Sequence, residues 1–181
     1  MVVPMLVMAI SLTACSSHSS EAQAEVIDYN SVCDVNISGW HEADSLIYPI
    51  IVTSPASIRY PLQVGLPYTL SYNIRITPRF GFASVPMLLM VQQTDTLPGG
   101  HLHVVRNILR QEINPAVRDS VGRPLGGTWG SLIDYEAPLS DVTLRFDSVG
   151  TYRMILTPLP GSNSQLSGIA SVGLLLTRRR P

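Results

Sequence analysis

Lysine is absent from this chain of 181 residues, and its twelve Lys or Arg positions are all arginine. Charged residues make up only 14% of the chain, and the formal net charge is −1 at pH 7. A protein that binds nucleic acid needs a basic face, and this charge balance does not supply one. We therefore predict no nucleic-acid partner. Hydrophobic residues reach 45%, which indicates a globular chain and excludes a disordered one.

Cysteine is scarce, and recognisable catalytic motifs are missing. The two cysteines are Cys15 and Cys33. If Cys15 is modified, as argued below, no internal disulfide can form. No cation flanks Cys33, so we interpret it as a buried, inert thiol. The sequence has no Gly-x-Ser-x-Gly, phosphate-binding loop or zinc-ligand pattern, and we predict no enzyme, cofactor or metal site.

The clearest motif lies in the first fifteen residues. Met1–Ile10 is almost wholly apolar, and Ser11-Leu12-Thr13-Ala14-Cys15 follows it. A short apolar core, small residues and a cysteine are typical of a bacterial lipoprotein signal, although no Lys or Arg precedes Cys15 and we expect a few residues upstream. The apolar run is shorter than the roughly 18 residues that span a bilayer. We predict lipid attachment at Cys15, against the alternative of a buried segment that ends in a chance cysteine.

The lipoprotein motif also predicts the organisation and location of the chain. We assign residues 1–14 to the signal peptide and 15–25 to a flexible polar tether. Residues 26–177 form a single domain, and residues 178–181 form a basic tail that is solvated or touches anionic lipid. Ser16 follows the cysteine, which favours the outer membrane. No acidic cluster follows, so we expect a lipid-anchored, periplasm-facing protein.

Strand patterns separated by Pro and Gly fill the body of the chain. Residues 68–76 alternate apolar and polar side chains, as a strand with one buried face requires. Further predicted strands are Ser45–Val52, Met87–Gln92, His101–Ile108, Val142–Phe146, a segment after Gly150 through Leu156, and Ile169–Thr177. Asn107–Val117 could hold a short helix, broken by Pro115. The pattern predicts an all-β fold, an antiparallel β-sandwich of immunoglobulin-like or jelly-roll-like type.

Two groups of polar residues are candidates for chemistry. His101 and His103 share a strand face, but Asp95 is their only acidic neighbour and a metal needs more ligands. We therefore expect two solvent-facing histidines. Paired carboxylates can cleave glycosidic bonds, although acidic residues near turns usually only solvate loops. The candidate carboxylates are Asp134, Glu136, Asp141 and Asp147.

The two tryptophans allow two interpretations. Residues 126–130 (Gly-Gly-Thr-Trp-Gly) predict a tight connection around Trp129. We expect Trp40 and Trp129 to pack in the core, with a partner for each indole N–H. The alternative is that they stack against a sugar or a protein.

Several blocks together resemble one family. They are Trp40 and Asp44, Pro67–Arg75, Gly127–Gly130 with Tyr135, Phe146 and Gly150–Tyr152, and Leu166–Leu174. From about Tyr29 to Leu176, the chain resembles the gliding-motility-associated lipoprotein GldH family of Bacteroidetes. The resemblance implies an outer-membrane lipoprotein needed for surface gliding and linked to type IX secretion, with no catalytic residues. The chain departs from the family pattern at residues 79–84, 98–118 and 158–162, where loops and partner contacts are expected.

Two functions of different classes remain open. The first is a non-catalytic accessory or structural component of the gliding and type IX secretion machinery, held at the membrane and in contact with other lipoproteins of that machinery. The second is a carbohydrate-binding or glycan-processing envelope lipoprotein, because β-sandwiches host many functions.

Overall fold

The computed structural model describes residues 25–55, 62–159, 161 and 165–179, and within these ranges the chain is built from strands and connections without a helix. Cys15, predicted to carry the lipid, and the part of the predicted tether before Glu25 lie outside the described residues. The strands are β1 (Glu25–Asp34), β2 (Trp40–His41), β3 (Leu46–Val52), β4 (Pro67–Ile76), β5 (Met87–Thr96), β6 (Leu102–Ile113), β7 (Gly127–Trp129), β8 (Leu132–Arg145), β9 (Gly150–Pro158), β10 (Gln165–Leu166) and β11 (Ile169–Arg179).

The strands form two main antiparallel sheets that pack face to face. One sheet has the order β1-β11-β4-β8-β7 and the other has the order β3-β9-β5-β6, while β2 and β10 form a small ladder of their own. Both sheets contribute to one continuous cluster of buried apolar side chains. The Tyr48 hydroxyl on β3 donates to the carbonyl of Val172 on β11 at 2.7 Å, and this bond links the two sheets through the core. The prediction of an antiparallel β-sandwich is confirmed.

The alternating pattern of β4 explains how the core is filled. Its apolar side chains are all buried, and the residues between them are only partly covered. A period of two places one side-chain set toward the facing sheet and the other toward solvent. The apolar set is Tyr68, Leu70, Tyr72, Ile74 and Ile76.

Three parts of the chain differ from the predictions. The predicted short helix at Asn107–Val117 is wrong, because β6 continues to Ile113 and pairs with β5 throughout. Long-range pairing outweighs local helix preference there. β8 begins at Leu132, ten residues before the predicted strand. β1 was not predicted at all, since its sequence EVIDYNSVCD is largely polar, as an edge strand allows.

The sandwich has two distinct ends. β1 begins at Glu25, opposite Arg179 of β11, at what we call the proximal end. It finishes at Asp34 at the opposite, distal end, where the connections after β1, β4 and β10 meet. Arg178, predicted to lie in a basic tail, belongs to β11 and donates from Nε to the carboxylate of Asp28. This ion pair ties β1 to β11 close to the start of the domain.

Candidate binding site at the distal end

Connections at the distal end surround a cleft of about 580 Å³. This volume lies within the range of about 300–1,000 Å³ that ligand pockets in proteins occupy. Four connections contribute: those after β1 and β4, the β7–β8 turn, and the β10–β11 turn. The described lining residues are Ile37, Ser38, Thr77, Pro78, Arg79, Ser131, Leu132, Ser167 and Gly168.

Gly168 joins the walls of this distal cleft. Its N–H donates to the Ile37 carbonyl at 2.9 Å, and its carbonyl accepts from the Thr77 N–H at 2.8 Å. The φ of Gly168 is +89°, a conformation that favours glycine. A Cβ here would lie 2.9 Å from Thr77 Oγ1 and 3.2 Å from Phe80 Cα. The turn therefore needs glycine both for its backbone conformation and for the close approach of its neighbours.

Further hydrogen bonds fix the rim. The Ser167 hydroxyl donates to the Ser38 carbonyl at 3.0 Å. Arg118, half-buried on the β6–β7 connection, donates to the carbonyls of Phe80 at 2.7 Å and Gly122 at 3.0 Å. The walls are thus held by contacts within the protein, which gives the cleft a shape that exists before any ligand binds.

The lining combines apolar surface, hydroxyls and one positive charge. Ile37 is 52% exposed, and Pro78 and Leu132 add apolar surface to the same cleft. Arg79 is exposed, and no described residue forms an ion pair with it. Among the described lining residues there is no carboxylate. This arrangement can bind a ligand with an apolar part and a negative charge, but it contains no nucleophile paired with a base.

A second, smaller cleft of about 370 Å³ lies between the end of β6 and the irregular middle of β8. Tyr72 lines it, and burial raises the pKa of the Tyr72 phenol, with a further rise from its hydrogen bond to Tyr135. The two rings lie 5.9 Å apart. A phenol kept protonated in this way is a hydrogen-bond donor and not a base near neutral pH.

The four candidate carboxylates do not form a catalytic pair among the residues described. Asp134 is held by Arg75, with Nε to Oδ1 at 2.5 Å and Nη2 to Oδ2 at 3.0 Å. Glu136 is exposed and lies two residue pairs further along the sheet, opposite Asn73. Asp147 makes a long contact of 3.4 Å with Arg106, at the opposite end of the sandwich from the distal cleft. The side chain of Asp141 lies outside the described residues.

The other candidate residues are the two histidines, the two tryptophans and Cys33, and their described surroundings include no binding or metal site. His101 and His103 are both exposed, as predicted, and the described residues contain no group of three potential metal ligands. Trp40 is buried and its indole N–H donates to the Asp44 carbonyl at 2.8 Å, which confirms core packing. Trp129 lies on β7, and its side chain is outside the described part. Cys33 is half-buried, less covered than predicted.

The sequence did not predict the distal cleft as a site, and of its lining residues only Arg79 falls in a segment, residues 79–84, where partner contacts were expected. Its members are scattered over four connections, so no spacing in the sequence joins them. The one available signal was Ser167-Gly168 between two apolar segments, which predicts a turn but not a site.

The fold and the cleft define the class of this protein as a β-sandwich domain that carries a preformed loop-lined pocket at one end. No protein-family model matches the chain, and no curated protein matches it either. No helix among the described residues is long and apolar enough to cross a membrane.

Proposed function

We propose that this protein is a non-catalytic, lipid-anchored lipoprotein of the outer membrane, attached through Cys15 and facing the periplasm. It acts by binding, as an accessory component of the gliding-motility and type IX secretion machinery to which the GldH family belongs. Its partners are other lipoproteins of that machinery. The lipoprotein motif and the family resemblance support the proposed location and machinery, and the cleft in the fold supports a binding role.

One observation carries the binding role, which is the position of the distal cleft relative to the start of the domain. β1 begins at Glu25, ten residues after Cys15, and its ten residues span about 30 Å to the opposite end. The cleft follows directly after β1, since Ile37 and Ser38 line it. If the chain is anchored at Cys15, the membrane lies nearer the proximal end of the sandwich, where β1 starts, and the cleft lies at the distal end. Confinement to the membrane also raises the effective concentration for a neighbouring component.

A carbohydrate-binding or glycan-processing function is the second candidate. The cleft volume would accept a sugar, and four hydroxyl side chains line it. Sugar recognition by proteins commonly uses an aromatic ring as a stacking platform, and the described lining residues include none. Asp134, one of the candidate carboxylates, is already engaged by Arg75. We therefore favour the accessory role.

The test is cross-linking in cells that both glide and secrete through the type IX system. The tagged protein is cross-linked in its lipidated form, and captured proteins are identified by mass spectrometry, with Cys15→Ala as the unanchored control. Capture of gliding or secretion lipoproteins that is lost in the control supports the proposal. An unmodified Cys15 on the mature protein, or a deletion strain with normal gliding and secretion, would refute it. Capture of glycan alone would favour the second candidate.

A further inference from the structure

We propose that the distal cleft binds a short protein segment in which an apolar side chain lies next to a carboxylate. The apolar side chain packs against Ile37, Pro78 and Leu132, and the carboxylate pairs with Arg79. This inference rests on the proposed function, because it specifies the chemistry by which an accessory lipoprotein would recognise its partner.

The apolar part of the argument comes from surface that the fold leaves uncovered. Ile37 exposes 52% of its surface although the neighbouring Gly39 and Trp40 are buried. It lies in the same cleft as Pro78 and Leu132, which reach it from other connections. An exposed apolar surface inside a concave site marks a place where a ligand displaces water.

The charge at the cleft is positive and is not neutralised by described residues. Arg79 is exposed and has no ion-pair partner among them, and the lining includes no carboxylate. Arg118 adds a second guanidinium next to the connection after β4 that carries Arg79. It donates to the main-chain carbonyls of Phe80 and Gly122 and not to an acid. A guanidinium offers a planar pair of donors that fits a carboxylate. The net local charge therefore favours an anionic group in the bound segment.

The rim is suited to a main chain as well. Hydroxyls of Ser38, Thr77, Ser131 and Ser167 line the cleft. The Ser38 and Ser167 hydroxyls already donate, to Asn36 Oδ1 and to the Ser38 carbonyl, and can accept from peptide N–H groups. Those of Thr77 and Ser131 can donate to peptide carbonyls. Because Gly168 fixes the walls by hydrogen bonds on both sides, little conformational entropy is lost when a segment binds. A glycan would gain the hydroxyl contacts but would leave Ile37 and Leu132 without an apolar partner, so a peptide fits the lining better.

The test is a set of matched peptides titrated into the full lipidated chain in zwitterionic lipid nanodiscs, with binding followed by amide NMR shifts. Acetyl-Leu-Asp-Leu-amide is compared with acetyl-Leu-Asn-Leu-amide, which removes only the charge, and with acetyl-Ser-Asp-Ser-amide, which removes the apolar side chains. We expect the Asp peptide to bind about tenfold more tightly than the Asn peptide, as a charge-assisted contact gives. The shifts should centre on Gly168 and Leu132.

The variants separate the site from general charge effects. Arg79→Gln should abolish the preference for Asp over Asn, whereas Leu132→Ser should weaken both Leu-containing peptides alike. Arg110→Gln is the matched control, because Arg110 is an exposed arginine of β6 that has no described ion-pair partner and is not among the described lining residues of the cleft. It should leave all affinities unchanged. Amide spectra of the free variants establish that each is folded.

Several outcomes would overturn the inference. They are equal binding of the Asp and Asn peptides, shifts that centre away from Gly168, no binding up to about 10 mM, or tighter binding of an oligogalacturonate, an acidic glycan. A photo-cross-linking residue in place of Ile37 distinguishes this failure from failure of the proposed function. Capture of a secretion-machinery lipoprotein without peptide selectivity leaves the function standing and removes this inference. Peptide selectivity without capture of a secretion-machinery lipoprotein supports the binding chemistry proposed here and removes support for the proposed function.

Discussion

Replacement of Gly168 by alanine should destabilise the fold much more than the same replacement at other left-handed glycines. Two separate physical effects act at this position. Its φ of +89° is strained for a residue with a Cβ, and the new Cβ would lie 2.9 Å from Thr77 Oγ1. Two further contacts, at 3.2 and 3.3 Å, are to the Phe80 main chain, which cannot rotate away.

Matched glycines allow the two effects to be separated. Gly65 and Gly122 have φ values of +82° and +83°, but nothing lies within 4 Å of a Cβ built at either. Alanine there should reduce the free energy of unfolding by about 1–2 kcal/mol, the cost of the left-handed conformation. At Gly168 the crowding adds about 1–3 kcal/mol, for a total near 3 kcal/mol. The effect of alanine on the unfolded chain is common to all three and cancels in the comparison.

Urea unfolding of the three variants, followed by circular dichroism, measures these differences through the transition midpoint, provided that the slope is unchanged. Adding Thr77→Ala to Gly168→Ala should restore part of the loss, because it removes the Oγ1 contact but not those to Phe80. If Gly168→Ala loses no more stability than Gly65→Ala, close packing at the distal turn is not what requires glycine. The same result would weaken the argument that the cleft is preformed.

Three further predictions concern the core and the proximal end. Tyr48→Phe should lower the free energy of unfolding by about 1–2 kcal/mol in urea titrations at neutral pH, because the Val172 carbonyl loses a buried donor. Burial raises the pKa of four of the described tyrosines, including Tyr48, above the ordinary value of 10.0. Since the folded state then keeps protons that the unfolded state releases, stability should fall as the pH rises above 10, and less steeply in Tyr48→Phe. A wild-type urea midpoint that is flat to pH 11 would contradict this. Asp28→Ala should cost about 2–4 kcal/mol, because it leaves the half-buried Arg178 unpaired. The exposed Asp147→Ala control should change stability by less than about 1 kcal/mol, and equal effects of the two would show that burial of the pair is unimportant.

The sequence was most informative where one strand face is buried. Alternation in residues 68–76 and again after Gly150 predicts β4 and β9 nearly to the residue, because a one-residue slip would expose the whole apolar set. It was least informative at edges. β1 lies at the edge of its sheet and needs fewer apolar residues, so its pattern is weak. Asn107–Val117 was predicted to hold a short helix because its side-chain pattern does not show the pairing of residues up to Ile113 with β5, the preceding strand.

The sequence by itself determined the all-β class and the core positions of the central strands, and it predicts lipid attachment at Cys15. Each of these depends on residues close together in the chain, where the period of apolar side chains and the spacing of short motifs can be read directly. Only the tertiary structure decided that Ile37, Arg79, Leu132 and Ser167 line one cleft. It likewise paired Asp134 with Arg75 and Arg178 with Asp28. Those neighbours are brought together by sheet order and by turns at one end of the sandwich, and no local pattern encodes them.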